Sequence, residues 1–340
     1  MTLDDRAATT TRPAPPSLAM RPLGRTGLEV SEISLGTVEL GLAYGLRSPD
    51  ETGPPSAEQA LRVLDRAIGL GVNLIDTARV YGASEELVGR AIRGRRERVI
   101  VATKVEPIPA DVTGPARAAR IEGSVAASLR ALGTDVIDIL QIHSATVEEI
   151  ERGETVAVLE RLRDAGAVRV IGVSTYGGDA ARAALTDGRY GCLQIAYNLL
   201  DREAEDGVLG QAATQGVGII ARSVLLRGAL SSRQDRLPAG LGELRAAIAA
   251  LQAGLPDPDA LPAIAYRYVL GDERVASALV GTSHVPELEA ALRAADDGPL
   301  DEGLIERIRS ITVADRAQLQ PHTWPAEAGE AAGVGSATDD

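Results

Sequence analysis

Residues 136–173 read VIDILQIHSATVEEIERGETVAVLERLRDAGAVRVIGV, and this stretch decides the fold. Its two ends, 136–142 and 168–173, are short runs of strand length rich in β-branched residues, whereas 156–165 has apolar residues at helical spacing. A strand, a helix and a second strand in this order indicate a parallel α/β sheet. The predicted strands along the chain are 33–35, 73–76, 99–103, 136–142, 168–173, 193–197, 217–221 and 277–280. Eight such repeats predict an α/β protein with a closed (β/α)8 TIM barrel.

The segments around these strands complete the predicted architecture. Further helices are expected at 57–68, 85–92, 116–132, 180–185, 286–295 and 301–311. The run 22–30 has the pattern of an N-terminal β-hairpin, turned by Gly24 and Gly27, that could close the barrel floor. Residues 223–258, after strand seven, are too long for an ordinary connection and predict a lid or substrate loop over the mouth. We expect a disordered tail at 1–20, one barrel domain at 21–315 and a flexible tail at 316–340.

The composition restricts the classes of protein to which the chain can belong. A net charge of −13 argues against nucleic acid or an anionic membrane as a partner. No apolar run approaches the roughly 20 residues that cross a bilayer, and the first residues lack the apolar core of a signal peptide. We therefore expect a soluble, cytoplasmic protein. The single cysteine, Cys192, lies in an apolar run and indicates a buried structural thiol, not a disulfide or a cysteine-rich metal site.

Four polar residues lie at or just after the ends of predicted strands. Asp76 ends strand two and Tyr81 follows five residues later, while Lys104 ends strand three and His143 ends strand four. The C-terminal ends of barrel strands share one mouth, where the active sites of this fold lie. An ammonium lowers the pKa of a neighbouring phenol, a carboxylate could hold that ammonium, and a histidine could donate to a carbonyl oxygen. The four residues predict a site that polarises a carbonyl group.

Lys104 is the strongest of these signals. It is the only lysine among 35 lysine and arginine residues, and an ordinary surface position in this chain would not require one. Taken singly, the other residues have simpler interpretations: Asp76 as a helix N-cap, Tyr81 as a loop aromatic and His143 as a structural residue. Their joint occurrence at matching strand ends favours catalysis.

Several sequence blocks resemble the aldo-keto reductase family. They are NLIDTARVYG at 73–82, ATK at 102–104, LQIH at 140–143 and VIGVS at 170–174. The block LGTVELGLAYG at 35–45 is similar to bacterial branches of that family whose substrates are poorly known. The resemblance covers about residues 23–293 and implies that Tyr81 is the general acid or base. It further implies that Lys104 and Asp76 tune Tyr81 and that His143 orients the substrate.

The same resemblance implies a nicotinamide dinucleotide, NAD(P)(H), lying across the barrel mouth, and no Gly-x-Gly-x-x-Gly or P-loop pattern indicates another nucleotide site. Ser174 and Gln194 match positions that hold the nicotinamide carboxamide, although Gln194 is open to interpretation as a barrel-interior residue. The predicted cofactor residues are Gly36, Thr37, Asp76, Ser174, Thr175, Gln194, Arg222, Ser223, Gly281, Thr282 and Glu287. The predicted substrate residues are Val38, Tyr44, Tyr81 and His143, and no metal is expected.

Four positions depart from the family pattern. Thr175 replaces a frequent asparagine, and Arg222 stands where many relatives have a tyrosine that stacks on nicotinamide. An arginine could stack there as well, or bind a phosphate or an anionic substrate. Gly281 and Glu287 stand where relatives carry cations for a 2′-phosphate, which favours NAD over NADP. Glu287 also fits the simpler interpretation of a solvated helix residue.

These observations predict an oxidoreductase that transfers hydride between nicotinamide and an aldehyde, a ketone, or a sugar-like lactol or alcohol. The identity of this small-molecule substrate, the direction of the reaction and the oligomeric state stay open. The alternative is a catalytically silent regulatory or scaffold protein of the same fold, which a turnover assay distinguishes. A metal-dependent barrel hydrolase is disfavoured because His143, His284 and His322 are too scattered to form a ligand cluster.

Overall fold

Eight parallel strands form a closed barrel in the computed structural model, which describes residues 18–48 and 50–325. An N-terminal hairpin, β1 (Met20–Pro22) and β2 (Glu29–Ser31), precedes them. The barrel strands are β3 (Ile33–Gly36), β4 (Leu74–Asp76), β5 (Ile100–Val105), β6 (Ile137–Ala145), β7 (Val168–Thr175), β8 (Cys192–Ala196), β9 (Gly218–Arg222) and β10 (Ser277–Gly281). Strand β10 pairs with both β9 and β3, so the sheet has no open edge. The (β/α)8 TIM barrel expected from the sequence is confirmed.

The alternation of side chains along each strand separates an apolar barrel floor from a polar mouth. The inner apolar layer near the floor consists of Leu74, Ala102, Ile139, Val170, Cys192 and Ile220. Successive side chains of a strand point to opposite faces, so the residues that follow at even spacing point to the same interior, nearer the mouth. Those residues include Asp76, Lys104, Gln141, Ser174, Gln194 and Arg222. Cys192 is fully buried in the floor layer, as its sequence context predicts.

The hairpin closes the floor of the barrel, as predicted. Leu23, Leu28 and Val30 are buried against the inner apolar layer. Gly24 has φ +52°, and a Cβ there would collide with the backbone at Gly216 and Gly218. This position therefore requires glycine, because both the conformation and the space exclude a side chain.

Helices surround the barrel and pack their apolar faces on it. They are α1 (Val38–Gly41), α2 (Ala57–Gly69), α3 (Ser84–Ile92), α4 (Gly114–Leu132), α5 (Val147–Arg152), α6 (Glu154–Asp164), α7 (Gly177–Asp187), α8 (Val208–Gln215), α9 (Gly242–Ala253), α10 (Leu261–Leu270), α11 (Val285–Asp296) and α12 (Glu302–Ser310). All seven helices expected from periodicity are present, whereas α1, α5, α8, α9 and α10 were not predicted. None of the helices in the described part of the chain is long and apolar enough to span a membrane.

The long connection after β9 is an anchored strap, by which we mean residues 223–258. It contains two short 3-10 turns and helix α9, which the sequence pattern did not indicate. Val224, Leu226, Ala229 and Leu230 of the strap are each at most 1% exposed. Burial of these apolar side chains fixes the strap over the barrel mouth.

The C-terminal segment differs from the expectation of a flexible tail over residues 316–340. Residues 316–325 are folded, with a 3-10 helix at Arg316–Leu319. Trp324 is only 7% exposed, and its indole N–H donates to the carbonyl oxygen of Gln318 at 3.0 Å. Burial of a large aromatic side chain stabilises this segment, a contribution that the polar composition around it concealed. Residues 326–340, and residues 1–17 of the predicted N-terminal tail, lie outside the described residues.

Candidate active site

The strand ends and the strap enclose one elongated cleft of about 540 Å³. It begins over the barrel interior and extends to the start of helix α11. The predicted site residues that line it are Gly36, Thr37, Val38, Tyr44, Asp76, Tyr81, His143, Ser174, Gln194, Arg222, Ser223, Gly281, Thr282 and Glu287. The two that do not line it are Lys104, which lies beneath it, and Thr175.

Lys104 and Asp76 form a buried ion pair at the bottom of the cleft. The Lys104 ammonium lies 2.8 and 2.7 Å from the two carboxylate oxygens of Asp76 and 2.9 Å from the carbonyl oxygen of Thr77. Burial lowers the pKa of Lys104, and the Asp76 carboxylate opposes that shift. Asp76 is not a helix N-cap, since α3 begins at Ser84 with Ala83 before it. The simpler interpretation of Asp76 is therefore excluded.

Tyr81 and His143 stand over this ion pair. The Lys104 ammonium lies 5.1 Å from the centre of the Tyr81 ring, and the Tyr81 and His143 rings meet edge to face with centroids 5.7 Å apart. Tyr81 ends a tight turn in which its amide donates to the carbonyl oxygen of Ala78 at 3.0 Å. Gly41 passes directly against this turn, and a Cβ there would collide with the Tyr81 carbonyl oxygen. Gly41 thus positions Tyr81, a role that the sequence pattern did not reveal.

The titration behaviour of these groups corrects one expectation. We expected Lys104 to lower the pKa of Tyr81, but burial and the negative charge of Asp76 raise it above its usual range. Burial disfavours the charged phenolate, and the Asp76 carboxylate adds to this effect. Burial, Lys104 and Arg222 lower the pKa of His143 to about 3. His143 is therefore a neutral imidazole, and its buried Nδ1 lacks a partner among the described residues.

Gln194 and Thr175 are both predicted cofactor residues, but only Gln194 lines the cleft. The Gln194 amide lines the cleft and donates to Asp76 Oδ1 at 2.7 Å, so it also serves the barrel interior. Ser174 lines the cleft, whereas Thr175, the next residue of β7, points outward to a small separate cavity beside Ala181. The alternation of side chains in a strand explains why the structure does not bring Thr175 to the cleft. Its hydroxyl is buried without a partner among the described residues.

The Arg222 guanidinium lines the cleft and packs on the ring of Tyr176. Its guanidinium carbon lies 4.0 Å from the centre of the Tyr176 ring, and His322 covers the same tyrosine with centroids 4.1 Å apart. The guanidinium donates to the carbonyl oxygen of Thr175 at 2.8 Å and to the Ser223 hydroxyl at 3.1 Å. Tyr176 and His322 were missed because neither lies in a recognisable motif, and His322 lies in the segment expected to be flexible.

The far end of the cleft contains an acidic cluster bridged by one arginine, Arg233 of the strap. Arg233 contacts Glu287 at 2.7 Å and Glu39 at 3.8 Å, and the Thr282 hydroxyl donates to the other Glu287 oxygen. Glu287 therefore lines the cleft and makes an ion pair and a hydrogen bond there, which a merely solvated helix residue would not. The sequence reasoning noted missing cations here but missed Arg233, which reaches the site only because the strap folds back across the mouth.

We expect Glu39 to make the stability of the fold depend on pH. Burial raises its pKa from 4.5 to about 8, with Arg233 opposing the shift and Glu287 adding to it. Between these two pH values the folded state retains a proton that the unfolded state has released, so stability falls as the pH rises. We expect the melting temperature of Glu39→Gln to depend less on pH across this window than that of the wild type, by several degrees.

Thermal melts at pH 5, 6, 7 and 8 would measure this difference. The matched control is Glu58→Gln, because the Glu58 side chain is 83% exposed and should leave the pH dependence unchanged. If the melting temperatures of wild type and Glu39→Gln changed equally with pH, the prediction of a raised Glu39 pKa would be wrong.

The cleft and its residues define the class of the protein. A closed (β/α)8 barrel that gathers a phenol, a neutral imidazole and a buried ammonium–carboxylate pair at one mouth has the architecture of a barrel oxidoreductase. The family model described as Aldo/keto reductase family matches residues 32–313. The chain belongs to this family.

Individual relatives agree with this assignment. The chain is 29% identical over 313 residues to "Uncharacterized oxidoreductase YqkF" of Bacillus subtilis, covering 87% of this chain and 97% of that protein. It is 32% identical to "NADH-specific methylglyoxal reductase" of Escherichia coli, covering 64% of this chain and 72% of the relative. The holo form of aldo-keto reductase AKR11C1 from Bacillus halodurans superimposes with a TM-score of 0.73 at 28% identity, covering 88% of this chain and 97% of that one.

Proposed function

We propose that this protein is an NAD(P)(H)-dependent reductase of aldehydes, ketones or sugar-like lactols, with Tyr81 as the proton donor. The observation that carries the proposal is the buried Lys104–Asp76 pair directly beneath Tyr81, in a cleft that also contains the neutral His143. A buried ion pair is costly to maintain, so its place beneath two proton-transfer groups favours a chemical role.

The cleft offers donor groups suited to a nicotinamide dinucleotide. Hydroxyl and amide groups of Ser174 and Gln194 lie at its inner end, suited to a carboxamide. Gly36 and Thr37 line its side wall, and Ser223 begins the strap above it. Gly281 and Thr282 lead into helix α11, whose N-terminus favours a phosphate. When bound, the dinucleotide supplies the hydride.

The protonated phenol of Tyr81 suits this residue to donate a proton during carbonyl reduction. Burial and the Asp76 carboxylate keep the Tyr81 phenol in its protonated form, which can donate a proton. The oxygen of a carbonyl that accepts hydride becomes an alkoxide, which is a stronger base than a phenolate. Proton transfer from Tyr81 to that oxygen is therefore downhill, and His143 can hold the oxygen in place through a hydrogen bond.

A turnover assay tests the proposal directly. Purified protein would be mixed with NADH or NADPH and a panel of aldehydes, ketones and aldoses, and loss of the reduced nicotinamide absorbance would be followed. We expect saturable turnover with at least one carbonyl. Tight binding of the dinucleotide without turnover of any substrate would instead favour a regulatory protein of the same fold.

We further propose that NADH is preferred over NADPH. Glu287 places a carboxylate at the end of the cleft where the adenosine ribose would lie, and a carboxylate repels a 2′-phosphate but accepts hydrogen bonds from ribose hydroxyls. The relative from Escherichia coli is described as NADH-specific, which supports this choice. Arg233 is the local cation, and its contacts with Glu287 and Glu39 occupy it.

Glu287→Arg should shift the ratio of kcat/KM for NADPH over NADH upward by about tenfold or more, since a new cation would replace a repelling carboxylate. Glu287→Gln should give a smaller shift, because it only releases Arg233. Steady-state kinetics with one carbonyl and both cofactors measure the ratio. Glu302→Arg, on the exposed first turn of α12, is the charge-matched control. A wild-type preference for NADPH, or an unchanged ratio in Glu287→Arg, would show that the 2′ site lies elsewhere.

A further inference from the structure

Gln141 is a fully buried residue of the barrel interior that does not line the cleft. It lies on β6, in register with Lys104 of β5 and Gly172 of β7. Its Nε2 donates to Oδ1 of Asp76 at 3.3 Å, which is long for a hydrogen bond to a carboxylate. Its Oε1 is buried and accepts no hydrogen bond from any described residue. The Gln141 amide is therefore held loosely beside the buried ion pair.

The oxygen that Gln141 approaches has more donors than it can accept at full strength. Asp76 Oδ1 lies 2.8 Å from the Lys104 ammonium, 2.7 Å from Nε2 of Gln194 and 3.3 Å from Nε2 of Gln141. One carboxylate oxygen has about two lone pairs, so the two short contacts occupy both of them. The third donor is redundant as long as Gln194 stays in its place.

Gln194, unlike Gln141, lines the cleft, where it is suited to the nicotinamide carboxamide. A carboxamide and a glutamine side chain carry the same groups, one carbonyl oxygen and one NH2, so they can pair with each other. In this structure the Gln194 amide is bonded to Asp76. Pairing with a carboxamide would weaken that bond, and the loss of a donor from a buried carboxylate lowers the affinity for the cofactor unless another donor replaces it.

We propose that Gln141 is a positioning residue that replaces Gln194 on Asp76 when the dinucleotide binds. The inference rests on the proposed reductase function and adds a residue to its cofactor site. Because its Oε1 has no bond to lose, Gln141 can move toward Asp76 at little cost. The exchange keeps two donors on Oδ1, so the carboxylate stays fixed against Lys104 while Gln194 turns to the cofactor. Gln141 thereby assists the binding of a cofactor that it does not contact.

A purely structural role for Gln141 predicts a different result. If Gln141 only fills the barrel interior, its loss lowers the melting temperature and changes the Kd of the dinucleotide by the same factor whether or not Gln194 is present. If Gln141 replaces Gln194, its loss raises the Kd only where Gln194 is there to be exchanged. Combining the two substitutions therefore separates the two roles.

Fluorescence titration with NADH and NADPH would measure the Kd of wild type, Gln141→Met, Gln194→Met and the double variant. Methionine is unbranched like glutamine but has no amide. We expect Gln141→Met to raise the Kd about tenfold, the effect of one hydrogen bond to a charged group. In the Gln194→Met background the same substitution should change the Kd by less than about twofold.

The matched control for this experiment is Gln215→Met. Gln215 is half-buried on α8 and does not line the cleft, so its substitution should keep the wild-type Kd. An unchanged Kd in Gln141→Met would overturn the proposal, as would the same fold-change in both backgrounds.

A failure of the proposed function gives a different result. If the wild type binds neither dinucleotide, the reductase assignment fails, and thermal melts of the same four proteins without dinucleotide test the shared oxygen of Asp76 by itself. If Gln141 can replace Gln194 there, the double variant should lose more melting temperature than the two single variants together. That result would retain the exchange of the two amides on Asp76. A loss equal to the sum of the single losses would remove it.

Discussion

Replacing Tyr81 with phenylalanine should lower kcat by at least about 10²-fold, the effect of losing a positioned general acid, while the Kd for the dinucleotide stays nearly unchanged. The substitution removes one oxygen and keeps the ring. The ring contacts with the Lys104 ammonium and with His143 should therefore persist, and Gly41 would still position the turn. The loss of turnover would consequently report on the hydroxyl and not on the packing of the cleft.

The chain offers a matched control for this substitution. Tyr190 is 1% exposed, and its hydroxyl is also buried without a partner among the described residues, but it does not line the cleft. Tyr190→Phe should retain wild-type kcat. Single-turnover kinetics would measure the chemical step, and fluorescence titration would measure the Kd of the dinucleotide. Turnover of Tyr81→Phe within a few-fold of the wild type would remove Tyr81 from the proton-transfer role.

Strand positions were predictable from sequence because parallel barrel strands are buried on both faces. In β6, Ile139 packs in the barrel floor and Leu140 packs under the helices, so the strand is mainly apolar on both faces. Asp76, Lys104 and His143 stood out because they lie at or near the ends of their strands, at the mouth. The structure brings these three together with Tyr81, as expected from their strand ends.

Residues whose position depends on contacts distant in sequence were not predictable in the same way. Arg233 lies in the strap and reaches Glu287 only because buried strap residues fix its path over the mouth. His322 reaches Tyr176 because Trp324 anchors the C-terminal segment. Neither contact is indicated by the spacing of apolar residues along the sequence or by a sequence motif. The raised pKa of Tyr81 was missed for a related reason, since it depends on how completely the fold buries the phenol and on the nearby charge of Asp76.

Replacing Lys104 with methionine should abolish most activity and also destabilise the fold, because the Asp76 carboxylate would remain buried without its partner. Removing one partner of a buried ion pair lowers the free energy of unfolding by about 3–5 kcal/mol. A loss of activity alone would therefore be ambiguous between chemistry and folding. The double variant Asp76→Asn with Lys104→Met removes both charges. We expect it to recover much of the melting temperature but none of the turnover, which would separate the two effects.

Lys104→Arg provides the decisive comparison, and we expect it to leave turnover at least about 10²-fold below the wild type. The Lys104 side chain is 1% exposed, and its ammonium fits between both Asp76 oxygens and the Thr77 carbonyl oxygen at 2.7–2.9 Å. A guanidinium is larger and planar, so it would displace Asp76 or Tyr81 instead of occupying the same point. Steady-state kinetics and thermal melts of the same preparations would measure both consequences. Full recovery of turnover in the arginine variant would mean that the cleft requires only a positive charge at this position and not the compact ammonium that this arginine-rich chain retains in a single lysine.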